Sequence, residues 1–165
     1  MKQDIEVNLW GTILSAHFFV PRLHPGAKIL IVSSGLGLMG AAGYTVYCAA
    51  KAGLINFADA LRRELYYDKK SVYVACPGDI DTPQFREEHK RMPEWMAKAN
   101  PARYSVMSPQ VAAKRILKKC TGHRLIITCD ISISILILSK KLLPERLVRF
   151  IIDRMFPMPK KKIEP

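Results

Sequence analysis

Apolar residues recur every three or four positions near the start of the chain, and this spacing predicts an amphipathic helix over residues 4–23. The positions on its apolar face are Ile5, Leu9, Ile13, Ala16 and Val20. His24-Pro25-Gly26 marks its end, because proline and glycine interrupt regular structure. The continuous apolar run over residues 28–33 then predicts a strand that is covered on both faces.

The alternation of strand and helix continues along the chain. A glycine-rich loop over 34–43 leads into a predicted helix over 44–66, and a second buried strand over 71–76 ends at Pro77-Gly78. The later predicted elements are a charge-rich loop and helix over 83–100, a helix over 108–120 that starts at Ser108-Pro109, a strand over 125–128, and helices over 131–143 and 145–156 that are separated by Pro144.

This order of elements predicts an α/β fold. Strands separated by helices form right-handed crossovers and a parallel sheet. Three strands are about half of a doubly wound, Rossmann-like sheet, so we expect the second half of such a three-layer fold, followed by amphipathic C-terminal helices. We divide the chain into this unit, residues 1–130, and a helical basic extension, residues 131–165.

Composition adds little to the fold but restricts the partners. Of the 165 residues, 49% are hydrophobic and 24% are charged, which is typical of a globular protein and excludes a disordered one. The net charge of +12 suits nucleic acid, an anionic membrane or a phosphorylated cofactor. Residues 140–162 hold eight basic and two acidic residues, so much of the excess lies in the tail. Without a basic patch interleaved with aromatic residues, we expect no nucleic-acid partner.

The tail allows two interpretations. A basic amphipathic helix over 143–156 with Lys160, Lys161 and Lys162 behind it can lie in a membrane interface, so residues 143–162 are a candidate for peripheral membrane contact. Alternatively, the helix packs on the domain with a solvated basic face. The most apolar run, residues 131–138, is too short to cross a bilayer.

The cysteines and histidines show no metal-ligand spacing. The four cysteines form no CxxC pair and the four histidines are scattered, so we expect no metal and free thiols in a reducing compartment. The polar start of the chain does not resemble a secretory signal. Together these features favour the cytoplasm, with association to a membrane left open by the tail.

Tyr47 and Lys51 are the first candidates for chemistry. Four residues apart on one predicted helix, they share a face, and an ammonium beside a phenol lowers the phenol pKa from its usual value near 10. Such a tyrosine can exchange a proton with an alcohol or a ketone. Ser34 follows a buried strand at the edge where α/β sheets bind ligands, although it can also simply start a turn.

With these residues in place, the sequence resembles the short-chain dehydrogenase/reductase family over residues 5–130. Asn8, Ser34, Tyr47 and Lys51 stand in the order and at the spacings of the family's catalytic set. The resemblance implies that Tyr47 is the general acid/base, Ser34 orients the carbonyl, Lys51 tunes Tyr47 and holds the nicotinamide ribose, and Asn8 supports a proton-relay water. Residues 1–130 would then be the C-terminal part of the family's domain.

The resemblance also implies a nicotinamide cofactor, with NADP preferred over NAD. The residues expected to contact it are Tyr47, Lys51, Pro77, Gly78, Ile80 and Thr82. The family's glycine-rich opening for the diphosphate is absent from this sequence. Gly35, Gly37 and Gly40 only superficially match it, because they follow the strand of Ser34. We therefore expect a fragment that has no dehydrogenase activity by itself. The resemblance also implies a homo-oligomer through helices 4–23 and 44–66.

The expected reaction interconverts a secondary alcohol and a ketone. Residues 83–93 and the tail resemble the 3-ketodihydrosphingosine reductase branch, which implies a lipid substrate, while steroid, retinoid and 3-oxoacyl substrates stay open. Residues Met92, Trp95 and Met96 are candidates to line an apolar pocket, or to face the core. The alternative function is a catalytically inactive interaction or membrane-surface protein.

Overall fold

A computed structural model describes residues 2–91 and 106–156 of the chain. The first helical segment runs through α1 (Lys2–Ile5), a π-helical turn (Glu6–Trp10), α2 (Gly11–Phe19) and a 3₁₀ turn (Val20–Arg22). The following elements are β1 (Lys28–Val32), a 3₁₀ turn (Gly35–Gly37), α3 (Thr45–Glu64), β2 (Ser71–Ala75), α4 (Pro83–Arg91), α5 (Pro109–Lys119), β3 (Ile126–Ile127), α6 (Ile131–Leu142) and α7 (Glu145–Met155).

The described strands form one parallel sheet in the order β1-β2-β3. The register pairs Lys28 with Ser71 and Val32 with Ala75, and Val74 pairs with Ile126 on the other side of β2. Parallel neighbours require a crossover between them, and α3 and α5 supply these crossovers. The predicted α/β class with a parallel sheet is confirmed.

The core has two clusters, one on each face of the sheet. Alternate residues of β2 point to opposite faces: Val72 and Val74 pack with Leu54 and Ala58 of α3, whereas Tyr73 packs with residues of α5. Leu54, Ala58 and Val74 are completely buried. The result is a three-layer arrangement, with the first helical segment and α3 on one side and α5 on the other.

Most predicted boundaries agree with the structure to within two residues. The predicted start at Ser108-Pro109 is confirmed, since the Ser108 hydroxyl accepts from Val111 N–H at 3.4 Å and caps α5. Of the four residues predicted as a strand over 125–128, two form β3 in the structure, Ile126–Ile127. The predicted helix over 83–100 is described only as far as Arg91, and Met92, Trp95 and Met96 lie outside the described residues.

The sequence pattern did not predict the π-helical turn. The Gly11 N–H donates to the Glu6 carbonyl, five residues back, within a segment predicted as continuous α-helix. The hydrophobic spacing of so short a segment does not distinguish a single π-helical turn from an α-helix. π-turns often occur at functional sites.

All four cysteines are free thiols, and Cys76, Cys120 and Cys129 are buried. Within the part of the chain that the structure describes, no helix has the length and apolar character needed to cross a bilayer.

Candidate active site

The candidate site lies at the carboxyl edge of the sheet, where the loops after β1 and β2 are joined. Ser33 N–H donates to the Ala75 carbonyl at 2.8 Å, and Gly35 N–H donates to the Pro77 carbonyl at 2.7 Å. Because parallel strands end at the same edge, these backbone hydrogen bonds bring residues about forty positions apart into one rigid frame. This is the edge at which open α/β sheets bind ligands.

The two adjacent serines have different surroundings. Ser33 is buried, and its hydroxyl donates to the Lys51 carbonyl at 2.8 Å, which fixes the strand end to α3. Ser34 is partly exposed, and its Oγ accepts from Leu36 N–H at 3.2 Å. The Ser34 hydroxyl also lies near the Tyr47 phenol and lowers its pKa. Ser34 therefore starts a turn and, at the same time, contacts the candidate acid/base.

The Tyr47 phenol is partly buried against the loops. Burial raises its pKa, the hydrogen bond from Ser34 lowers it in part, and the Glu88 carboxylate raises it again. Its ring lies edge-to-face with that of Tyr44, with 6.2 Å between centroids. The pKa of Tyr44 is also raised, first by burial and then by Glu88. The net effect keeps Tyr47 protonated at neutral pH.

Lys51 is where the spacing predicted it, but its effect differs from the expectation. Its ammonium lies 5.5 Å from the Tyr47 ring centroid and donates to the Val32 carbonyl at 3.3 Å. Burial lowers its own pKa. The expected lowering of the Tyr47 pKa is not found in this chain, because burial of the phenol is the largest influence on that pKa and raises it.

Asn8 lies half-buried in the π-helical turn, and its carbonyl accepts from the Thr12 hydroxyl at 3.3 Å. The next residue, Leu9, packs on Gly53, where an added Cβ would lie 3.1 Å from Leu9 Cδ1. The turn is therefore held against α3, two residues beyond Lys51. Among the hydrogen bonds of the described residues, none joins Asn8 to the other three candidates.

The loop over residues 77–82 is anchored at several points. Gly78 N–H donates to the Asp130 carboxylate at 2.8 Å. Ile80 pairs with Met107 in a parallel bridge, and Thr82 Oγ1 accepts from Phe85 N–H at 3.1 Å and caps α4. The predicted cofactor residues Pro77, Gly78, Ile80 and Thr82 are thus brought to the same sheet edge as Tyr47 and Lys51.

Sequence reasoning missed Asp130. An aspartate directly before an apolar helix resembles an N-cap, yet its side chain makes no cap hydrogen bond to α6 and instead accepts from Gly78 N–H and the Cys129 thiol. No local sequence signal distinguishes these two uses. The position of Asp130 at the end of β3 places it beside the loop that follows β2.

Close packing explains why glycine stands at two of the three glycine positions after Ser34. A Cβ on Gly37 would lie 2.9 Å from the Lys51 carbonyl carbon and oxygen, and one on Gly35 would lie 2.5 Å from Ile133 Cδ1. Gly40 has no atom within 4 Å of such a Cβ. Two of the three glycines therefore allow close approach of the loop to helices.

Comparison with known proteins agrees with this arrangement. The family model described as short chain dehydrogenase matches residues 1–93, more than half of the chain. The chain belongs to the short chain dehydrogenase family. The matched segment includes Asn8, Ser34, Tyr47, Lys51 and the loop over 77–82.

Curated relatives of this short chain dehydrogenase include lipid and acyl reductases. It is 34% identical over 119 residues to the 3-dehydrosphinganine reductase of Danio rerio, covering 71% of this chain and 36% of the relative. It is 32% identical over 138 residues to a 3-oxoacyl-[acyl-carrier-protein] reductase of Rattus norvegicus, covering 77% and 55%. It is 35% identical over 88 residues to an 11-beta-hydroxysteroid dehydrogenase-like protein of Arabidopsis thaliana, covering 50% and 28%. The chain therefore spans between 28% and 55% of these relatives.

A solved structure has the same fold. A short chain dehydrogenase from Burkholderia cenocepacia, crystallised with NADP, superposes with a TM-score of 0.73 at 20% identity. The superposition covers 96% of this chain and 59% of that one. At this identity the likeness concerns the fold, and it agrees with the parallel sheet described above.

Proposed function

We propose that this chain carries the proton-transfer residues of an NAD(P)-dependent oxidoreductase that interconverts a secondary alcohol and a ketone. The observation that carries the proposal is the meeting of Tyr47, Ser34 and Lys51 at one sheet edge, with the Lys51 ammonium 5.5 Å from the Tyr47 ring centroid and the Ser34 hydroxyl near enough to lower the Tyr47 pKa. An acid, a hydrogen-bond donor and a cation around one point are what the reduction of a carbonyl requires.

In the proposed reduction, Tyr47 donates its proton to the carbonyl oxygen of the substrate. Its raised pKa keeps the proton in place at neutral pH until negative charge develops on that oxygen. Ser34 orients the same oxygen. As the phenolate forms, the nearby Lys51 ammonium favours its charge, and Asn8 supports the water that returns the proton.

The described residues fit a nicotinamide cofactor, which supplies or accepts the hydride when it is bound. The Lys51 ammonium has three N–H donors, and Val32 O is its acceptor among the described residues, so donors remain for ribose hydroxyls. Thr82 uses its oxygen as an acceptor and keeps its own O–H to donate. We propose that Tyr47, Lys51 and the loop residues Pro77, Gly78, Ile80 and Thr82 contact the cofactor.

We propose that the cofactor is NADP rather than NAD, and that the substrate is a lipid ketone such as 3-ketodihydrosphingosine. The net charge of +12 suits the additional phosphate, and the Burkholderia protein of the same fold was crystallised with NADP. Reductases of this sphingoid ketone from Dictyostelium discoideum and Danio rerio are 33% and 34% identical to the matched segments.

The test uses the native protein, purified from its own cells at its natural length. We expect it to oxidise NADPH in the presence of 3-ketodihydrosphingosine at least about tenfold faster than with a steroid ketone or a 3-oxoacyl thioester. Consumption of NADPH and formation of the alcohol are measured together. Absence of both dinucleotide binding and ketone turnover would refute the oxidoreductase proposal and favour the catalytically inactive alternative.

A second proposal concerns peripheral membrane contact, and the exposed face of α7 favours it. Leu147, Phe150 and Ile151 are 44%, 55% and 39% exposed, although the adjacent Val148 is buried. Arg154 stacks over the Phe150 ring at 5.1 Å. A helix with exposed apolar residues beside arginines suits the interface of an anionic bilayer. We place the protein in the cytoplasm, at such a surface.

Vesicle binding checks this proposal. We expect the native protein to co-sediment with phosphatidylserine-containing vesicles, and Phe150→Ser with Ile151→Ser to weaken this binding more than about tenfold, because two apolar side chains no longer enter the interface. Val111→Ser, which removes another exposed apolar residue on α5, is the control. Equal binding of both variants and the native protein would contradict a role for α7.

We also propose that the protein is a homo-oligomer through its first helical segment and α3. Trp10, Leu14 and Phe18 are about half exposed and recur at helical spacing.

A further inference from the structure

One peptide group in the loop over residues 77–82 is hydrogen-bonded at both of its polar ends. The Pro77 carbonyl accepts from Gly35 N–H at 2.7 Å, and the Gly78 N–H donates to Asp130 Oδ2 at 2.8 Å. The carbonyl and the N–H of a trans peptide such as this one point in opposite directions within one plane. The two contacts together therefore fix the orientation of the peptide plane that joins Pro77 to Gly78.

The contact with Asp130 lies at the point where the loop most needs it. Farther along the loop, the Asp79 carbonyl accepts from Met107 N–H at 3.0 Å, and the Asp81 N–H donates to the Met107 carbonyl at 2.9 Å. Among the described residues, the acceptor for the Gly78 N–H is the Asp130 carboxylate. Glycine has the widest backbone freedom of any residue, so Gly78 depends on an outside contact to keep one conformation.

The segment that carries this carboxylate is itself held by three side chains. The carbonyls of residues 128, 129 and 130 accept from Lys119 Nζ at 2.6 Å, Arg115 Nη1 at 3.2 Å and Ser134 Oγ at 2.7 Å, in that order. These donors belong to α5 and α6, which lie on either side of the segment in sequence. The Asp130 side chain therefore extends to the loop from a fixed backbone.

The Asp130 carboxylate is used for the loop and not for its own helix. It stands directly before α6 without capping it, and its Oδ2 accepts from the Cys129 thiol as well, at 3.2 Å. Burial and the Asp130 carboxylate raise the pKa of Cys129 to about 11, so this thiol stays protonated and remains a donor at neutral pH. Hydrogen bonds to an ionised acceptor are stronger than those between neutral groups. The carboxylate is thus a strong acceptor for a residue 52 positions away.

We propose that Asp130 is a positioning residue for cofactor binding, whose carboxylate holds the Pro77–Gly78 peptide so that the loop over 77–82 is already ordered when the dinucleotide arrives. This inference rests on the proposed function, in which that loop contacts the nicotinamide cofactor. A loop that is ordered beforehand loses less conformational entropy on binding, and the affinity for the cofactor is higher for that reason. Asp130 acts through Gly78 and has no part in the proton transfer at Tyr47.

The test compares the native, full-length protein with three variants. Asp130→Ser removes the carboxylate but keeps a residue type that suits the start of a helix. Asp130→Asn keeps an oxygen acceptor without the charge. Ser134→Ala is the matched control, because it removes a hydrogen bond to the Asp130 carbonyl and leaves the carboxylate on Gly78. For each protein, a fluorescence titration gives the Kd for NADPH, steady-state kinetics give kcat and the KM for 3-ketodihydrosphingosine, and calorimetry gives Tm.

We expect Asp130→Ser to raise the Kd for NADPH about tenfold, since one hydrogen bond to a charged group is lost, while the KM for the ketone changes by less than about twofold. Asp130→Asn should recover part of the affinity, with a Kd about threefold above that of the native protein, because its acceptor is neutral. Ser134→Ala should leave the Kd unchanged. A residue that only stabilises the fold would lower Tm and the active fraction, and therefore kcat, at a constant Kd.

A native Kd in Asp130→Ser overturns the assignment, and so does an equal rise of the Kd in Ser134→Ala. Both results leave the oxidoreductase proposal standing. If Asp130→Ser does not fold, Asp130→Asn is measured in its place, and a Kd equal to that of the native protein overturns the assignment. If the native protein neither binds NADPH nor reduces the ketone, the assignment and the proposed function fail together.

Discussion

Replacing Tyr47 with phenylalanine should lower turnover of the native protein by about 10³-fold while leaving cofactor binding nearly unchanged. Phenylalanine keeps the ring, and therefore the packing against Tyr44, but lacks the hydroxyl that would donate the proton. The loss should appear in kcat, because the missing group acts on the oxygen that becomes charged in the transition state. Steady-state kinetics and a dinucleotide titration measure the two effects separately.

The matched control is Tyr73→Phe, which removes a phenol hydroxyl on the opposite face of the sheet. Tyr73 is 2% exposed, and its hydroxyl donates to the Gly122 carbonyl at 3.2 Å. Losing this hydrogen bond should cost about 1 kcal/mol of the free energy of unfolding without changing turnover. If Tyr73→Phe impaired turnover as severely as Tyr47→Phe, the effect would be one of stability, and Tyr47 would not be the acid.

The pair Tyr47 and Lys51 could be predicted from the sequence because the geometry of one helix brings together residues four positions apart. The direction in which the Tyr47 pKa is shifted could not be predicted from the sequence. It depends first on burial of the phenol and also on Glu88 of another helix, and both raise the pKa of Tyr47. Local spacing thus predicts proximity, whereas tertiary packing decides the electrostatics.

The strands show the same distinction. The apolar runs around Ile31 and Val74 predict parallel strands covered on both faces by helices. The structure confirms the parallel pairing and the burial of β2, but in β1 Ile31 is buried whereas Val32 is 55% exposed. The π-helical turn at Asn8 and the use of Asp130 to hold Gly78 carry no comparable signal. Each depends on a contact between elements distant in sequence.

Gly37→Ala should have the largest effect on stability among single substitutions in the loop after β1. The new Cβ would lie 2.7 Å from Ser33 Oγ and 2.9 Å from the Lys51 carbonyl oxygen. These two atoms are hydrogen-bonded to each other, and one of them belongs to the helix backbone. Moving either of them away would therefore break this hydrogen bond or distort α3. We expect a loss of about 3 kcal/mol in the free energy of unfolding, or a fall of roughly 5–10 °C in Tm.

Gly40→Ala is the control for this prediction, because it makes the same chemical change three residues later in the same loop. A Cβ at Gly40 has no neighbour within 4 Å, and Gly40 is not among the glycines with positive φ. Its substitution should therefore change the free energy of unfolding by less than about 0.5 kcal/mol. Calorimetry of both variants measures the two Tm values that this prediction compares. Similar Tm values for the two would mean that the loop yields to the added methyl, and that contact with α3 does not require glycine at position 37. A selective loss in Gly37→Ala, accompanied by reduced turnover, would show that this contact also positions Ser34 and Lys51.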